Sequence, residues 1–385
     1  MCGDPYGLDC GDKIVNRLMM LGIYHIPEHM GIRFRDEGMF VKNVLAREEA
    51  LYVEHPAEEE VYKRLDGRLL VLRGPKGDGL SMVVLVALTR KMLLDRAVVI
   101  GAKVARDYIS DIAGLVKLVN SIRETHREPI FYLDISKPGH YPQKPWREDV
   151  LYMPTKLDNF LSILEEVKTI SRFKDVTAVV VLSDDLYEIL KHELNVHATT
   201  EVSSGDMRFL RELAHAYNNC GEDVAAEVAE AVTKEYDCGR AVLTTLAADW
   251  LARRGCQGTI TEALQAAEDK AKELIINYIW YTVLSGNRPY ANLHAPLILL
   301  RHFEGPMSAE SAEEFLISLG FEMHKVVNST AVKWLAVRHC NLIESAVKKA
   351  VETALTKRID EQPYNALRSA AVDYYKHFKT KGYFQ

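Results

Sequence analysis

Several features are missing from this 385-residue sequence, and each absence removes a class of function. No run of about 18 apolar residues occurs, so no membrane-spanning helix and no membrane partner are expected. The N-terminus lacks a basic segment followed by an apolar stretch, so no secretory leader is expected and a cytoplasmic location follows. The cysteines Cys2, Cys10, Cys220, Cys238, Cys256 and Cys340 are scattered without C-x-x-C spacing. That argues against a zinc site and for buried thiols; disulfides inside a cell would fit a hyperthermophilic source. There is no G-x-S-x-G nucleophile elbow. The pairs His192/His197 and His294/His302 match no metal-ligand spacing. No internal repeat or low-complexity tract is present. A formal net charge of -6 excludes a surface that is basic overall, while leaving a local basic face open.

What remains is an ordinary globular composition, long enough for two or three domains with a substantial core. One stretch organises the reading: Leu69-Leu70-Val71-Leu72-Arg73-Gly74-Pro75-Lys76-Gly77-Asp78-Gly79-Leu80-Ser81. An apolar run leads into a glycine-rich turn and then into the apolar segment from Met82 to Leu94. Strand, loop and helix in that order are the context in which G-x-x-x-x-G-K-[ST] has meaning. Gly74, Gly79 and Ser81 fall where the pattern wants them, and Leu80 stands at the lysine position.

From Leu69 the chain alternates strand and helix, which predicts a parallel sheet with crossover helices. Strands are expected at 69–72, 97–104, 129–134 and 177–182, with helices at 80–95, 109–123, 156–171 and 186–193. A charged helix is expected at 47–65 and an amphipathic one at 13–23; 138–154 is a proline-rich loop. Past residue 204 strand signals stop, and helical spacing runs through 206–218, 222–235, 240–253 and 261–284. Further helices are expected at 309–319, capped by Ser308, and at 341–359. The fold class is therefore α/β, a three-layer P-loop-type parallel-sheet core followed by an all-helical lid and a helical C-terminal region. The divisions are an N-terminal extension at 1–45, the α/β core at 46–204, the lid at 205–285 and the C-terminal domain at 286–385. A winged-helix-like form for that last domain is left open.

A phosphate-cradling loop works through inward-pointing backbone N–H groups at the positive end of the next helix. Gly74, Gly77 and Gly79 could preserve that backbone, and Ser81 could meet Mg²⁺. Lys76 or Arg73 would have to supply the charge that Leu80 lacks. Otherwise the segment is a strand-to-helix turn that has lost its ligand. Asp134, at the end of its strand, is the second metal-site candidate, or else a turn cap. Ser183, Asp184 and Asp185 offer a rival acidic site, or a helix N-cap.

These residues resemble the AAA+ superfamily, and within it the archaeal STAND-like ATPases. The resemblance rests on Arg47-Glu48-Glu49, the loop at Gly74 to Ser81, the strand ends at Asp134 and Ser183, and Cys238-Gly239-Arg240-Ala241 opening a lid helix. It implies ATP or ADP with Mg²⁺ as ligand, Ser183 as first sensor and Arg240 as a second sensor near the γ-phosphate. Leu80 and Ile135 depart from the family pattern at the phosphate lysine and the catalytic glutamate, so slow hydrolysis or none is implied. No catalytic residue is assigned.

From Thr330 to Gln385 there are ten Lys or Arg against five acids. Lys376, Lys379 and Lys381 interleave with Tyr374, Tyr375, Phe378, Tyr383 and Phe384. Either this is a nucleic-acid contact surface, or the aromatics pack an amphipathic helix against the lid. Two functions follow as expectations. One is a degenerate nucleotide-dependent switch or scaffold that works with a protein partner or by self-association. The alternative is a non-enzymatic DNA- or protein-interaction module that kept the fold without nucleotide.

Overall fold

The computed structural model describes residues 53–66, 69–95, 97–101, 112–124, 126–134, 176–194, 198–201, 206–279, 288–357 and 362–384, with Ile23–Tyr24 and residues 164, 165, 168 and 169. The expected helix at 13–23, the loop at 138–154, Arg47-Glu48-Glu49, Ile135, Cys2 and Cys10 lie outside the described residues, apart from Ile23. Where described, the helix expected at 47–65 forms only over Glu58–Arg64 (α1).

The sheet has six described strands: β1 (Ile23–Tyr24), β2 (Leu69–Gly74), β3 (Val98–Gly101), β4 (Pro129–Asp134), β5 (Thr177–Ser183) and β6 (Ala198–Glu201). Their order is β1-β3-β4-β5-β2-β6, with β1 antiparallel to β3 and every other pairing parallel. Four strands were expected. The two additional ones are short edge strands, β1 of two residues and β6 of four, without the apolar run that reveals a buried strand. The central β5 is buried along its whole length, as a parallel strand covered on both faces must be.

Alternation along the strands feeds two cores. Leu70, Leu72, Val179 and Val181 face the cluster containing Val61 of α1 and Leu80, Val83, Val84 and Leu88 of α2 (Leu80–Leu94). Val71, Ala178, Val180 and Leu182 face the other side. There they meet Val119 and Ile122 of α3 (Ile112–Glu124) and Leu186 and Leu190 of α4 (Asp184–Leu194). Helices on both faces complete the three layers.

The lid comprises α5 (Met207–Tyr217), α6 (Glu222–Glu235), α7 (Arg240–Arg253) and α8 (Ile260–Tyr278). Local chemistry fixes their starts. The Asp206 carboxylate accepts the Arg208 and Phe209 amides, and Thr259 forms a reciprocal capping box with Glu262. The C-terminal region holds α9 (Arg288–Glu304), α10 (Ala309–Ser318), α11 (Met323–Val327), α12 (Thr330–Ala336), α13 (Asn341–Thr356), α14 (Gln362–Asp373) and α15 (Tyr375–Thr380). Ser308 caps α10 as expected, and Gly320, at φ 92°, follows its end. No strand occurs among the described residues of this region. The second apolar cluster runs without a break from the sheet through the lid to Phe378, so these parts share one core.

The terminal aromatics belong to that core. Tyr383 stacks on Phe303 of α9 with centroids 4.7 Å apart, and Phe384 meets Phe303 edge-on at 5.6 Å. Phe378 is fully buried among them. Phe378→Ala should destabilise the protein by about 3–5 kcal/mol through the cavity it leaves, measured by chemical denaturation.

Candidate functional site

At the carboxyl edge of the sheet, Gly74 pairs with Ser183 and Arg73 with Glu201, so the loop after β2 lies between the ends of β5 and β6. Asp134 aligns with Val181, two positions short of Ser183. The backbone thus brings Gly74, Asp134 and Ser183 to one edge, where ligands of open parallel sheets bind. The side chains of Ser81 and Asp134 are not among those described.

The loop keeps a glycine-dependent path. Gly77 has φ 82° and Gly79 has φ 90°, and Gly79 is the N-cap of α2. Left-handed backbone at both positions favours glycine. Leu80 is 3% exposed and packs in the α1–α2 core, so the position that would carry a phosphate lysine points into hydrocarbon.

The lid sits directly on this loop. Gly239, at φ 72°, is the N-cap of α7 and supplies no side-chain cap. Asp78, fully buried, fills that role from a distance: the Arg240 amide donates to its Oδ1 at 2.8 Å. The Val242 amide donates to the Gly77 carbonyl at 3.1 Å. The approach is close enough that a Cβ on Gly77 would stand 2.8 Å from the Gly239 Cα.

The candidate cations take other partners. The Arg240 guanidinium donates through Nε to the Tyr236 carbonyl at 3.0 Å, at the end of α6. It is the backbone of Arg240, and not its side chain, that touches the loop. Arg73 lies over the Tyr187 ring, 4.8 Å from its centroid, and 3.9 Å from Asp184 and Glu188. Lys76 acts electrostatically on Asp185.

Sequence reading named Asp185 but not its partners, and it passed over Asp78 altogether. Asp185 lies in the first turn of α4 rather than at its N-cap, and its Oδ1 accepts the Leu186 amide at 3.0 Å. Its Oδ2 accepts from Trp334 Nε1 at 2.7 Å and lies 2.7 Å from His339 Nδ1. Burial pushes this carboxyl up. Hydrogen bonding to His339, the His339 charge, the Ser183 hydroxyl and Lys76 outweigh burial and hold it well below the usual carboxylate range. The His339 Nε2 donates to the Trp334 carbonyl at 2.8 Å, so each ring nitrogen faces an acceptor. Beyond it, Glu344 accepts the His339 amide at 2.7 Å and pairs with the buried Arg301. Burial lowers the Arg301 guanidinium's pKa, against the pull of Glu344. Loop, β5 end and C-terminal helices are thus joined by one charge network.

All four described cysteines are bridged, which corrects the expectation of thiols. Cys220 pairs with Cys256 inside the lid, and Cys238 pairs with Cys340 at the N-cap of α13. Among the described residues, Asp237, Cys238 and Cys340 are the one group with donors close enough for a metal ion. Their sulfurs are bonded to each other and so are not available as ligands.

Of the basic candidates, Lys381 pairs with Glu304 at 2.8 Å, and the Lys379 ammonium lies over Tyr375 at 5.4 Å. Lys376 is exposed. Phe378, Tyr383 and Phe384 are engaged with Phe303, which leaves Tyr375 as the exposed large aromatic.

No protein-family model matches the sequence, and no curated protein does. Solved structures of AAA+-superfamily ATPases are similar at low identity. Caenorhabditis elegans PCH-2 is 12% identical over 61% of this chain and 68% of its own, with a TM-score of 0.28. The Saccharomyces cerevisiae Hsp104–ADP complex is 11% identical over 83% of this chain, with a TM-score of 0.37. The match spans about half (52%) of the Hsp104 chain. Aeropyrum pernix ORC2, in its ADPNP–ADP complexes, is 11% identical over 92% of this chain and 98% of its own, at 0.35. The fold is defined by the sheet order and by the helical layers on its two faces. No described helix is long and apolar enough to cross a membrane.

Two predictions follow from this geometry. Gly77→Ala, strained at φ 82° and driven against Gly239, should cost about 1–3 kcal/mol in thermal or denaturant unfolding. His55 packs edge-on against Phe209 at 4.6 Å, within van der Waals reach of a Cβ placed on Gly79. Burial lowers its pKa from 6.5 to about 4, with Asp206 opposing. The unfolded chain therefore takes up a proton near pH 6.5 that the folded one refuses until pH 4. The stability this gives is complete above pH 6.5 and falls by roughly 3 kcal/mol as pH drops toward 4. His55→Gln should flatten that part of a stability–pH profile.

Proposed function

We propose that this chain is a degenerate AAA+/STAND-like protein that binds ATP or ADP weakly, hydrolyses it slowly or not at all, and acts as a nucleotide-dependent switch or scaffold. One observation carries the reading: the Asp78 carboxylate, inside the phosphate-type loop, holds the first amide of lid helix α7 at 2.8 Å. The loop fits a phosphate in its backbone, through Gly77 and Gly79, and does not fit it in charge. An acid occupies its interior, Leu80 is buried in the core, and the Lys76 charge acts on Asp185.

Nucleotide and lid then compete for the loop. A ligand entering it has to displace the Asp78–Arg240 and Gly77–Val242 hydrogen bonds, so part of its affinity is lost to freeing the lid. That loss is also what couples binding to lid position, as a switch requires. Gly74, Lys76, Gly77, Gly79, Ser81 and Arg240 would form the nucleotide site, Ser81 and Asp134 the Mg²⁺ site, and Ser183 the sensor. A protein partner or self-association would read the lid position. A cytoplasmic location, with two disulfides in the chain, requires a hyperthermophilic source.

The second reading, an interaction module that no longer uses nucleotide, is favoured by the same acid in the loop. Binding of a fluorescent ATP analogue, with and without Mg²⁺, separates the two. Asp78→Ala removes both the cap and the negative charge and should tighten binding by about tenfold, the equivalent of one displaced charged hydrogen bond. No binding at millimolar nucleotide, to the native protein or to the variant, would leave the second reading standing.

A further inference from the structure

The two bridges stand in opposite surroundings. Cys238 is 3% exposed and Cys340 is half-buried. Leu342 of α13 lies against the turn that carries Cys238, its Cδ2 2.8 Å from where a Cβ on Gly239 would stand. The Asn341 amide donates to Asp237 Oδ1 at 3.3 Å beside it. Cys256, by contrast, is exposed, as is every residue from 253 to 259, and its partner Cys220 is half-buried. An attacking thiolate needs access to a disulfide sulfur, and exposed bridges are the labile ones. The accessible bridge is Cys220–Cys256.

The backbone at Cys256 adds a second, independent reason. It lies at φ 64°, directly after Gly255 at φ 62°. Among the described residues, His126 is the other non-glycine on left-handed backbone. That conformation is costly for a residue with a side chain and persists where the surroundings impose it. The Cys256 amide donates to the Leu251 carbonyl at 2.9 Å, folding the turn back onto the end of α7. Cys220 is placed separately, its amide donating to Asn218 Oδ1 at 3.2 Å. Among the described residues no hydrogen bond joins turn 218–221 to turn 254–258, so the bridge is what ties one to the other. Opening it frees both turns and removes one of the constraints that hold Cys256 in its strained form.

We propose that Cys256 is a thiol-exchange site, at which a small-molecule thiol opens the bridge to Cys220 and is carried as a mixed disulfide. The thiolate attacks Sγ of Cys256, the more exposed partner. The bond to Cys220 breaks as the new S–S bond forms, and Cys220 leaves as a thiolate that takes a proton. A second molecule of thiol resolves the adduct, so that two electrons have passed to the protein and the small molecule departs as its disulfide. The effect is confined to one end of the lid. At about 1.5 Å per residue, the 14 residues of α7 set Cys256 roughly 20 Å from the phosphate-type loop. The inner end of α7 keeps its Asp78–Arg240 hydrogen bond and the closed Cys238–Cys340 bridge. The lid therefore loosens at its outer turns and stays docked at the loop.

The test uses the whole, nucleotide-free protein under native conditions, with graded reduced glutathione, alkylation of freed thiols and peptide mass spectrometry. Glutathione should be found on Cys256 about tenfold more often than on Cys220, and Cys238 and Cys340 should label only at about tenfold higher thiol. At the lower concentration, amide hydrogen exchange should rise about tenfold in peptides covering 217–222 and 252–259, with 237–243 unchanged. Adduct mainly on Cys220, labelling of Cys238 and Cys340 first or together with the other pair, or unchanged exchange in both outer peptides would overturn the proposal. Oxidised glutathione should modify Cys220→Ser, through Cys256, about tenfold faster than it modifies Cys256→Ser through Cys220; equal rates would overturn it as well. If either variant does not fold, the titration of the native protein decides alone. Because no nucleotide is present, failure here is distinct from failure of the nucleotide reading.

Discussion

The 2.8 Å hydrogen bond from the Arg240 amide to the Asp78 carboxylate, between residues 162 positions apart, is the constraint from which the site takes its form. A helix N-terminus whose N-cap is a glycine needs an acceptor from elsewhere. Here the acceptor is an acid in the very loop that would otherwise offer its own N–H groups to a phosphate. The exchange of roles is electrostatically simple: a fixed anion of the protein stands near where a ligand anion would go. With Leu80 in the core, the loop presents no cation at the position that would compensate.

A second layer of charge ties the arrangement to the C-terminal helices. Asp185 collects the Trp334 indole and the His339 imidazole, and Glu344 and Arg301 continue the chain. Such a network is sensitive to the loss of any member, because each charge is buried on the strength of the others. Asp185 also stands next to Asp184, which remains near Arg73 at the surface of α4. Two adjacent acids thus serve opposite ends of the dielectric range.

Much of the core was legible because its signals are local. The run Thr177 to Leu182 and the turn Gly74 to Gly79 announce a buried strand and a left-handed loop in single short windows. The lid helices 222–235 and 240–253 were likewise bounded by their own residues. β6 was not legible, since Ala198-Thr199-Thr200-Glu201 carries no apolar run and is fixed by pairing with β2. Asp185 looked like a helix cap and instead sits in the first turn of α4; nothing near it announces Trp334 or His339. Asp78 was passed over because the motif leaves its position unspecified. The cysteines were read as thiols because their spacing carries no pattern, and only the packing of α13 against the lid turn brings Cys340 to Cys238.

The shared core has a consequence for how the chain comes to be folded. Sheet, lid and C-terminal helices contribute to one apolar cluster. Trp334 reaches back across 149 residues to Asp185. A growing chain leaves the ribosome N-terminal end first. The α/β part is therefore exposed to the cell for the whole time that the helices sealing one of its faces are still being made. Its early life is that of an open sheet with an unshielded acid at its edge. Contacts this distant in sequence also close slowly. The protein should reach its final state in one late step, when the last helices arrive.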